Sequence, residues 1–413
     1  MKVFEQANLG TLTVKNRLIR AATHDGLADE TGKPTERCIA KYIRLAEGGV
    51  GTIIAGYAGV NQQGKSSHYR MFMLDDDENI PAFQKLTKEV KSRNVRIIQE
   101  LAHCGSSTRK AVTGLNPAAP SAIRSPLFPN ERVHALSDAE IHEIIDDFVR
   151  AAGRCREAGF DGVELHAAHN YLLTQFLSPL TNKRKDGWGG SLENRYRIIG
   201  EIMTACRDSC PGFPVFIKLN ADDMRPRGLR LEDSGLIAGW LERDGCSGIE
   251  VSCGAAARSF ITTRGKGIPS EAIVHKTYMF SSWPVWAREA VRPLIPVYFR
   301  APPPPLTRYN EAAARYIKKS CSLTIINTGG HPDLESIRDV LDSGSADFVA
   351  LCRSLILEPD LPKKYAEGTQ TEARCLNCNY CTVAQLSEPT RCWYGKIDLK
   401  KAEGRIGGAK PNR

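Results

Sequence analysis

The chain has 413 residues, of which 42% are hydrophobic and 25% charged, and its formal net charge is +9. This length and composition are typical of a folded protein with one large α/β domain and a small appendage. The positive charge is spread along the chain except for a short basic tail from Lys396, so we expect a protein that binds anionic small molecules rather than nucleic acid. No apolar run approaches the ~18 residues of a membrane span, and the opening MKVFEQANLG lacks the apolar core of a signal peptide. We therefore expect a cytoplasmic protein that does not bind a membrane.

Eight short apolar runs, each bounded by glycine or polar residues, predict buried β-strands. They span residues 17–22, 51–57, 96–102, 162–167, 215–220, 248–253, 323–328 and 348–353. Helical spacing of apolar residues predicts helices at 36–47, 82–93, 138–158, 192–209, 232–243, 309–319 and 333–343. Glycines after Glu47, Ala158 and Ser343 are typical of left-handed helix ends, and Ser137 with Glu140 predicts a capping box.

Strands that alternate with helices in this way predict a (β/α)8 TIM barrel. A doubly wound sheet is the competing fold, but no GxGxxG sequence follows the first strand. Barrel enzymes carry their chemistry at the carboxyl ends of the strands. Polar residues or glycines close most of the predicted strands here, namely His24, Glu100, His103, His166, His169, Lys218, Asn220, Ser252, Gly329, Gly330 and Arg353.

Two regions depart from the alternation. Residues 258–308 form a long, aromatic-rich insertion between the sixth and seventh predicted strands, and we expect this insertion to cap the barrel mouth. A cysteine-rich extension follows the barrel. The predicted organisation is therefore a barrel over residues 1–365, with the capping insertion inside it, and an extension over 366–413.

His166 and His169 end the fourth predicted strand, and Tyr171 follows two residues later. Two imidazoles can hold an oxygen atom that gains negative charge, and a phenol nearby can donate a proton. Such a group suits the reduction of a double bond beside a carbonyl. The alternatives are a structural polar pair or a zinc site, although no further ligand motif such as HExxH accompanies the histidines.

Four of the thirteen cysteines cluster near the end of the chain, at Cys375, Cys378, Cys381 and Cys392. Closely spaced thiolates are typical of an iron–sulfur cluster or a structural zinc ion. Unligated thiols are the third alternative. In a chain of this length without a signal peptide, free thiols or metal ligands are favoured over disulfides.

Several segments in matching order resemble the old yellow enzyme family of FMN-dependent oxidoreductases. They are KNRLIRAATHDGLAD, YIRLAEGGVGTIIAGYAGV, HAAHNYLLTQFLSPLTNKRKDGWGGSLENR, TIINTGG and DFVALCRSLILEPDLPKK. The THDGL segment and the terminal cysteines are most similar to the 2,4-dienoyl-CoA reductase branch. The resemblance implies FMN bound across the barrel mouth, NAD(P)H as the reductant, and an activated alkene as the acceptor.

The resemblance also implies roles for single residues. His166 and His169 would bind the acceptor carbonyl, and Tyr171 would protonate the carbon opposite hydride attack. Lys218 would lie beside flavin N1 and O2, and Arg353 would bind the phosphate together with the glycine pair. The other residues that match flavin-binding positions are Ala22, Thr23, His24, Gly56, Glu100, Gly329, Gly330 and Cys352.

Two positions and the spacing of the cysteine run depart from the family pattern. The flavin-binding glutamine is expected three residues before His103, where Glu100 stands, so either Glu100 meets the flavin or a bulge brings in Gln99. Cys352 replaces a glycine. The branch carries a [4Fe–4S] cluster on a similar cysteine run with a longer middle spacing, so a cluster, zinc and free thiols all remain open.

The predicted function is that of an FMN-dependent ene-reductase acting on small α,β-unsaturated carbonyl compounds. One alternative is an amine dehydrogenase or demethylase of the trimethylamine dehydrogenase type, and another is a non-catalytic flavin or iron–sulfur electron-transfer subunit. The chain ends at residue 413 without the C-terminal FAD/NAD(P)H module of long branch members. We therefore expect either direct reduction by NAD(P)H or a separate electron-donor protein, and a homo-oligomer is a further expectation.

Overall fold

The computed structural model describes residues 2–125, 128–254, 262–265, 267–299 and 306–394. Parts of the predicted insertion (258–261, 266 and 300–305), including its proline run, lie outside the described residues. The last part of the extension, 395–413, with its basic tail, also lies outside them.

After a short 3-10 helix (Lys2–Phe4), an antiparallel hairpin is formed by β1 (Ala7–Leu9) and β2 (Leu12–Val14). Gly10 turns between them with φ of +56°, and a Cβ atom there would lie 2.8 Å from the Ser247 carbonyl oxygen. Leu9 and Val14 pack against inward-facing barrel residues. The hairpin therefore closes the amino-terminal end of the barrel.

The remaining strands follow in chain order. They are β3 (Leu18–Arg20), β4 (Thr52–Gly59), β5 (Phe72–Met73), β6 (Arg96–Ala102), β7 (Ala118–Ala119), β8 (His134–Ala135), β9 (Gly162–Ala167), β10 (Val215–Asn220), β11 (Gly248–Ser252), β12 (Thr324–Thr328) and β13 (Phe348–Leu351). Eight of them, β3, β4, β6 and β9 to β13, pair in parallel in that order, and β13 returns to β3. The predicted (β/α)8 barrel is confirmed.

Helices surround the strands. They are α1 (Glu36–Glu47), α2 (Ile80–Lys91), α3 (Lys110–Thr113), α4 (Asp138–Glu157), α5 (Leu172–Leu177), α6 (Leu192–Ser209), α7 (Leu231–Arg243), α8 (Ser270–Lys276), α9 (Val285–Val291), α10 (Ile295–Tyr298), α11 (Glu311–Ser320), α12 (Leu334–Asp342), α13 (Arg353–Leu357), α14 (Leu361–Glu367) and α15 (Tyr380–Ala384). The seven predicted helices correspond to α1, α2, α4, α6, α7, α11 and α12.

Local sequence signals explain where several helices begin and end. Ser137 and Glu140 form the predicted capping box at the start of α4, with each side chain bonded to the other residue's backbone N–H. Gly159 and Gly344 adopt φ of 80° and 69° just beyond α4 and α12. Glycine takes this conformation without steric cost, so the helices stop there and the chain enters the next strand.

The largest apolar core lies between the strands and the surrounding helices, and a second one fills the barrel interior. No helix among the described residues has the length and apolarity that crossing a bilayer requires.

The capping insertion and the extension contact each other. The insertion contains α8, α9 and α10, and α15 of the extension packs against α8. Lys276 of α8 forms an ion pair of 3.1 Å with Glu388, and its backbone carbonyl accepts a bond from Ser387. Both segments therefore border the carboxyl-terminal mouth of the barrel, where the candidate site lies.

Candidate active site

Two histidines and a tyrosine lie together where β9 ends. His166 belongs to β9 and is in register with Lys218 of β10. His169 and Asn170 both adopt left-handed backbone, with φ of 57° and 62°, and this turn leads to Tyr171 at the start of α5. The His166 ring centroid lies 5.1 Å from that of His169 and 4.7 Å from that of Tyr171. The structure therefore brings all three predicted side chains together at the barrel mouth.

Both histidines are neutral. Burial lowers the pKa of His166 and of His169 well below the ordinary value, and the nearby Lys218 acts in the same direction. The Nδ1 atom of His166 accepts the Ala168 backbone N–H at 3.3 Å, so the ring proton is on Nε2, where it can be donated. The Nε2 atom of His169 lies 2.8 Å from the Ser252 hydroxyl. In this arrangement His166 is the histidine that has a donor to offer.

Tyr171 is held in its neutral form. Burial, followed by the proximity of Tyr57, raises the pKa of Tyr171 well above its ordinary value. The two tyrosine rings meet edge to face at 5.6 Å. The Tyr57 hydroxyl contacts the Ser66 hydroxyl at 3.3 Å and also bonds to Nδ1 of His68. The sequence analysis did not predict this hydroxyl network. Tyr57 is nevertheless the last residue of the second predicted strand, and the carboxyl ends of barrel strands are where active-site residues lie.

Lys218 lies among three buried carboxylates. Its Nζ is 2.5 Å from Glu100, 3.0 Å from Glu164 and 3.5 Å from Glu250. Burial by itself would lower the pKa of Lys218, but these carboxylates outweigh burial and raise it. Burial raises the pKa of Glu164, and Glu250 and Glu100 add to that rise against the opposing effect of Lys218. The Lys218 ammonium is therefore paired with carboxylates from within the protein.

Glu100, not Gln99, faces the barrel mouth. Glu100 lines the same cavity as His166 and Tyr171, whereas the amide of Gln99 bonds to the Gly56 carbonyl at 2.8 Å. The strand irregularity lies in β4 between Ala55 and Ala58, and β6 itself runs without a break in its pairing with β9. Of the two alternatives, the structure brings Glu100 to the mouth.

One continuous cleft crosses the barrel mouth. A cavity of about 1270 Å³, open to solvent, holds the histidines and Tyr171, and a neighbouring cavity of about 850 Å³ holds the glycine pair. The two cavities share several lining residues, including Lys218 and Arg353. The predicted flavin-binding residues that line the cleft are Ala22, Thr23, His24, Glu100, Lys218, Gly329, Gly330, Cys352 and Arg353.

Gly56 lies behind the cleft rather than in it. A Cβ atom at this position would be 2.5 Å from the Thr23 carbonyl oxygen. The glycine therefore lets β4 approach the loop that carries Ala22, Thr23 and His24. Its contribution is to the position of that loop.

The glycine pair lets Tyr309 and the backbone of Arg308 pack closely against the end of β12. Gly329 and Gly330 have φ of 112° and 80°, and a Cβ atom on Gly329 would lie 2.4 Å from the Tyr309 ring. Arg353 donates to the Asn379 side chain at 2.6 Å and to the Arg264 carbonyl at 2.8 Å. A guanidinium group has five N–H donors, so Arg353 retains capacity for an anion in the cleft.

His24 and Cys352 connect the loop after β3 to neighbouring parts of the barrel mouth. His24 Nε2 lies 2.7 Å from the Tyr69 carbonyl, and its ring stacks on Tyr57 at 5.2 Å between centroids. Burial lowers the pKa of His24 to about 4, so this ring is neutral. The Cys352 sulfur lies 3.0 Å from the Thr23 hydroxyl, which connects the end of β13 to the loop that follows β3.

The four clustered cysteines surround a separate cavity of about 770 Å³ beside the cleft. Cys375, Cys378, Cys381 and Cys392 all line it, and so does Arg353. Burial raises the pKa of Cys375 and raises that of Cys381 to about 12. Within the described ranges, no three histidine, cysteine or acidic side chains lie close enough to hold one metal ion. The thiols thus stand around an open space instead of converging on a point.

The mouth of the closed parallel barrel thus carries Lys218, the glycine pair and Arg353. Residues 2–261 match the family model described as "NADH:flavin oxidoreductase / NADH oxidase family". The chain belongs to that family.

Among its relatives, an NADH oxidase of Thermoanaerobacter brockii is 33% identical over 381 residues, which cover 91% of this chain and 52% of that protein. An NADPH dehydrogenase of Bacillus velezensis is 39% identical over 266 residues, 63% of this chain and 75% of that protein. The old yellow enzyme homologue of Zymomonas mobilis has the same fold, with a TM-score of 0.71 at 23% identity over 92% of this chain and 96% of that one. This chain thus spans about half the length of the NADH oxidase.

Proposed function

We propose that the protein is an FMN-dependent ene-reductase that uses NAD(P)H to reduce the C=C bond of an α,β-unsaturated carbonyl compound. The observation that carries this proposal is the group of two neutral histidines and a neutral tyrosine in one cleft, with ring centroids of 4.7 and 5.1 Å from His166. Reduction of the C=C bond of an enone requires hydrogen-bond donors for the carbonyl oxygen and a proton source in the same cleft.

The cleft residues fit FMN. Glu100 offers an acceptor for the flavin imide N–H, and Lys218 offers a cation for the N1 and O2 edge. Arg353 and the backbone at Gly329 and Gly330, which line the other end of the cleft, suit a phosphate there. FMN supplies hydride transfer when it is bound.

In the proposed reaction, His166 and His169 bind the carbonyl oxygen of the acceptor. Negative charge develops on that oxygen as hydride reaches the β-carbon, so donors that point at it lower the barrier. His166 has its Nε2 proton available. His169 joins it when the bond between its ring and Ser252 gives way to the substrate oxygen.

Tyr171 donates the proton to the α-carbon. A phenol whose pKa is raised by burial stays protonated until it is used. The edge-to-face contact with Tyr57 holds the Tyr171 ring in place, and the ring itself is buried.

We further propose that Cys375, Cys378, Cys381 and Cys392 hold a [4Fe–4S] cluster, which supplies one-electron transfer when it is bound. The four thiols line one cavity beside the cleft, and a zinc ion held by the same thiols is the alternative. Arg353 borders both this cavity and the cleft, so electrons from a donor protein would enter close to the flavin. Iron and acid-labile sulfide in protein purified without oxygen would support the cluster, and stoichiometric zinc would contradict it.

The alternative of an amine dehydrogenase finds less support in the same residues. A cationic amine calls for acceptors or aromatic faces, whereas His166 has a ring N–H to donate.

The test is an anaerobic stopped-flow experiment. The flavin is reduced with one equivalent of NADPH or NADH and then mixed with a panel of cyclic enones, enals and enoates. We expect the oxidised flavin absorbance to return at a rate that depends on acceptor concentration. A flavin that stays reduced with every acceptor, yet reoxidises in air, would contradict the proposed activity.

A further inference from the structure

A further cavity of about 1510 Å³ adjoins the cleft on the side of the capping insertion. We call it the vestibule. Its walls are mainly apolar and come from three separate parts of the chain, including Phe128 after β7, Ile273 and Tyr278 in the insertion, and Val383 and Leu386 in the extension. Phe128, Tyr278, Thr382 and Leu386 line both the vestibule and the cleft, so the two spaces meet there. A molecule in the cleft that is longer than a small enone would extend into the vestibule.

One cation stands at this junction. The Arg109 guanidinium lies 4.3 Å from the ring centroid of Tyr278 and 5.7 Å from that of Phe128, and the two rings lie 5.3 Å apart. Aromatic faces stabilise a guanidinium and leave its N–H edge free for a planar anion.

Arg109 has no counter-ion among the described residues. No carboxylate oxygen there lies within 4.0 Å of its guanidinium nitrogens, and its Nε atom is buried without a hydrogen-bond partner. Glu131 lines the same cavity, but its carboxylate accepts the Lys110 backbone N–H at 3.1 Å. A partly buried, unpaired cation is costly until an anion binds to it.

We propose that the vestibule binds the remote part of the acceptor, and that this part is an apolar body carrying a carboxylate that pairs with Arg109. This inference rests on the proposed ene-reductase function and specifies the substrate class: amphipathic, anionic unsaturated carbonyl compounds. Phe128 and Tyr278 contact the apolar body, while Arg109 fixes its charged end. The reacting C=C bond then lies in the cleft.

The test compares 4-carboxycinnamaldehyde with its methyl ester, which share one reacting group and differ in charge. Steady-state KM and kcat are measured, and Kd is obtained from the perturbation of the flavin spectrum. In Arg109→Gln we expect KM and Kd for the carboxylate to rise at least about tenfold, since a hydrogen bond to a charged group contributes roughly 1.5–3 kcal/mol. Values for the ester should not change.

Two further variants serve as controls. Lys110→Gln removes an exposed cation from the next residue and should alter neither compound, and Arg109→Lys keeps the charge and should retain part of the preference. Equal effects of Arg109→Gln on both compounds, or none, would overturn the vestibule proposal while leaving the ene-reductase proposal intact. Failure of both aldehydes to oxidise the reduced flavin would instead contradict the ene-reductase proposal, and the Kd values would still decide the role of Arg109.

Discussion

Glu100 stands where the family pattern has glutamine, and this single exchange alters the charge around Lys218. The glutamate lies 2.5 Å from the ammonium group, so the lysine is already paired before a flavin arrives. A paired lysine stabilises an anionic reduced flavin less than an unpaired one does.

Glu100→Gln should therefore raise the flavin midpoint potential. Removal of one carboxylate near the flavin is expected to shift it by on the order of 30 mV, equivalent to ~1.4 kcal/mol for a two-electron couple. Spectroelectrochemical titration of the holoprotein measures the shift. Glu89→Gln, which removes a carboxylate from the outer surface of α2, is the matched control, and a potential that falls in Glu100→Gln would contradict the assigned position.

Tyr171→Phe should separate the two half-reactions. Loss of the proton donor is expected to slow flavin reoxidation by an enone by roughly 10²–10⁴-fold, while reduction by NADPH stays as in the parent protein. Stopped-flow absorbance follows both steps. Tyr69→Phe, a neighbouring phenol outside the Tyr57–Ser66–His68 network, should change neither step, and equal losses in both steps for Tyr171→Phe would refute the role.

At the residue scale, site residues could be predicted from the sequence where they lie close together in the chain at the end of a strand. His166, His169 and Tyr171 lie within six residues, so one turn brings them together. His68 and Arg109 could not be found in this way, since each reaches the mouth from a loop and its neighbours are set by tertiary packing. Glu100 and Gln99 were indistinguishable until the irregularity between strands was seen to lie in β4.

At the element scale, the barrel strands and their helices were predictable because both faces of each strand are buried and every helix carries an apolar stripe. The short pairs β4–β5 and β7–β8 were not predicted. Two-residue strands have no periodicity to recognise, and their pairing depends on how the loops pack over the mouth.

The capping box of α4 should contribute measurably to stability. Slight burial alone would raise the pKa of Glu140, but bonds from Ser137 and His134 hold it down to about 2. We expect Ser137→Ala to cost about 1 kcal/mol, measured as the midpoint of urea unfolding. Because the folded pKa is depressed, the Glu140 contribution is present above about pH 4.3 and is lost as the pH falls towards 2. Ser92→Ala at the end of α2 is a control, and an equal loss there would contradict the capping assignment.

At the scale of the whole molecule, buried neutral histidines set the response to acid. Burial lowers the pKa of six of them, namely His24, His68, His103, His166, His169 and His331. Each gains a proton near pH 6.5 only when the chain unfolds, so the unfolded state is favoured as the pH falls. Three acids with raised pKa values oppose this trend but are outnumbered, namely the half-buried Asp75 and the buried Glu164 and Asp223.

Stability should therefore fall between pH 7 and pH 5. Every histidine that is protonated only in the unfolded chain contributes up to ~1.4 kcal/mol per pH unit below 6.5. Urea midpoints at pH 7.5, 6.0 and 5.0 measure the trend for the holoprotein. A midpoint that stays constant or rises on acidification would contradict the expectation that the buried histidines dominate the response to acid.

The division of the chain into barrel and extension remains a prediction, as does a homo-oligomeric state. The extension nevertheless bonds to the barrel at both ends of the cleft. Asn379 accepts from Arg353, and the Thr390 hydroxyl donates to the His24 carbonyl at 2.6 Å. The Thr390 N–H donates to the carbonyl of Asp25, whose side chain is paired with Lys41 and Arg20.

Because of these two contacts, we expect the extension to help the cleft retain FMN. A shortened chain that stops at residue 365 would keep all eight barrel strands, yet Arg353 and the loop at His24 would lose their outer supports. Such a protein should fold but release FMN during gel filtration, recovering its yellow colour only in excess cofactor. Mutations among residues 375–392 would then change the fraction of the protein that holds FMN as well as the binding of any metal. Selection for FMN binding would therefore act on the extension and on the barrel together.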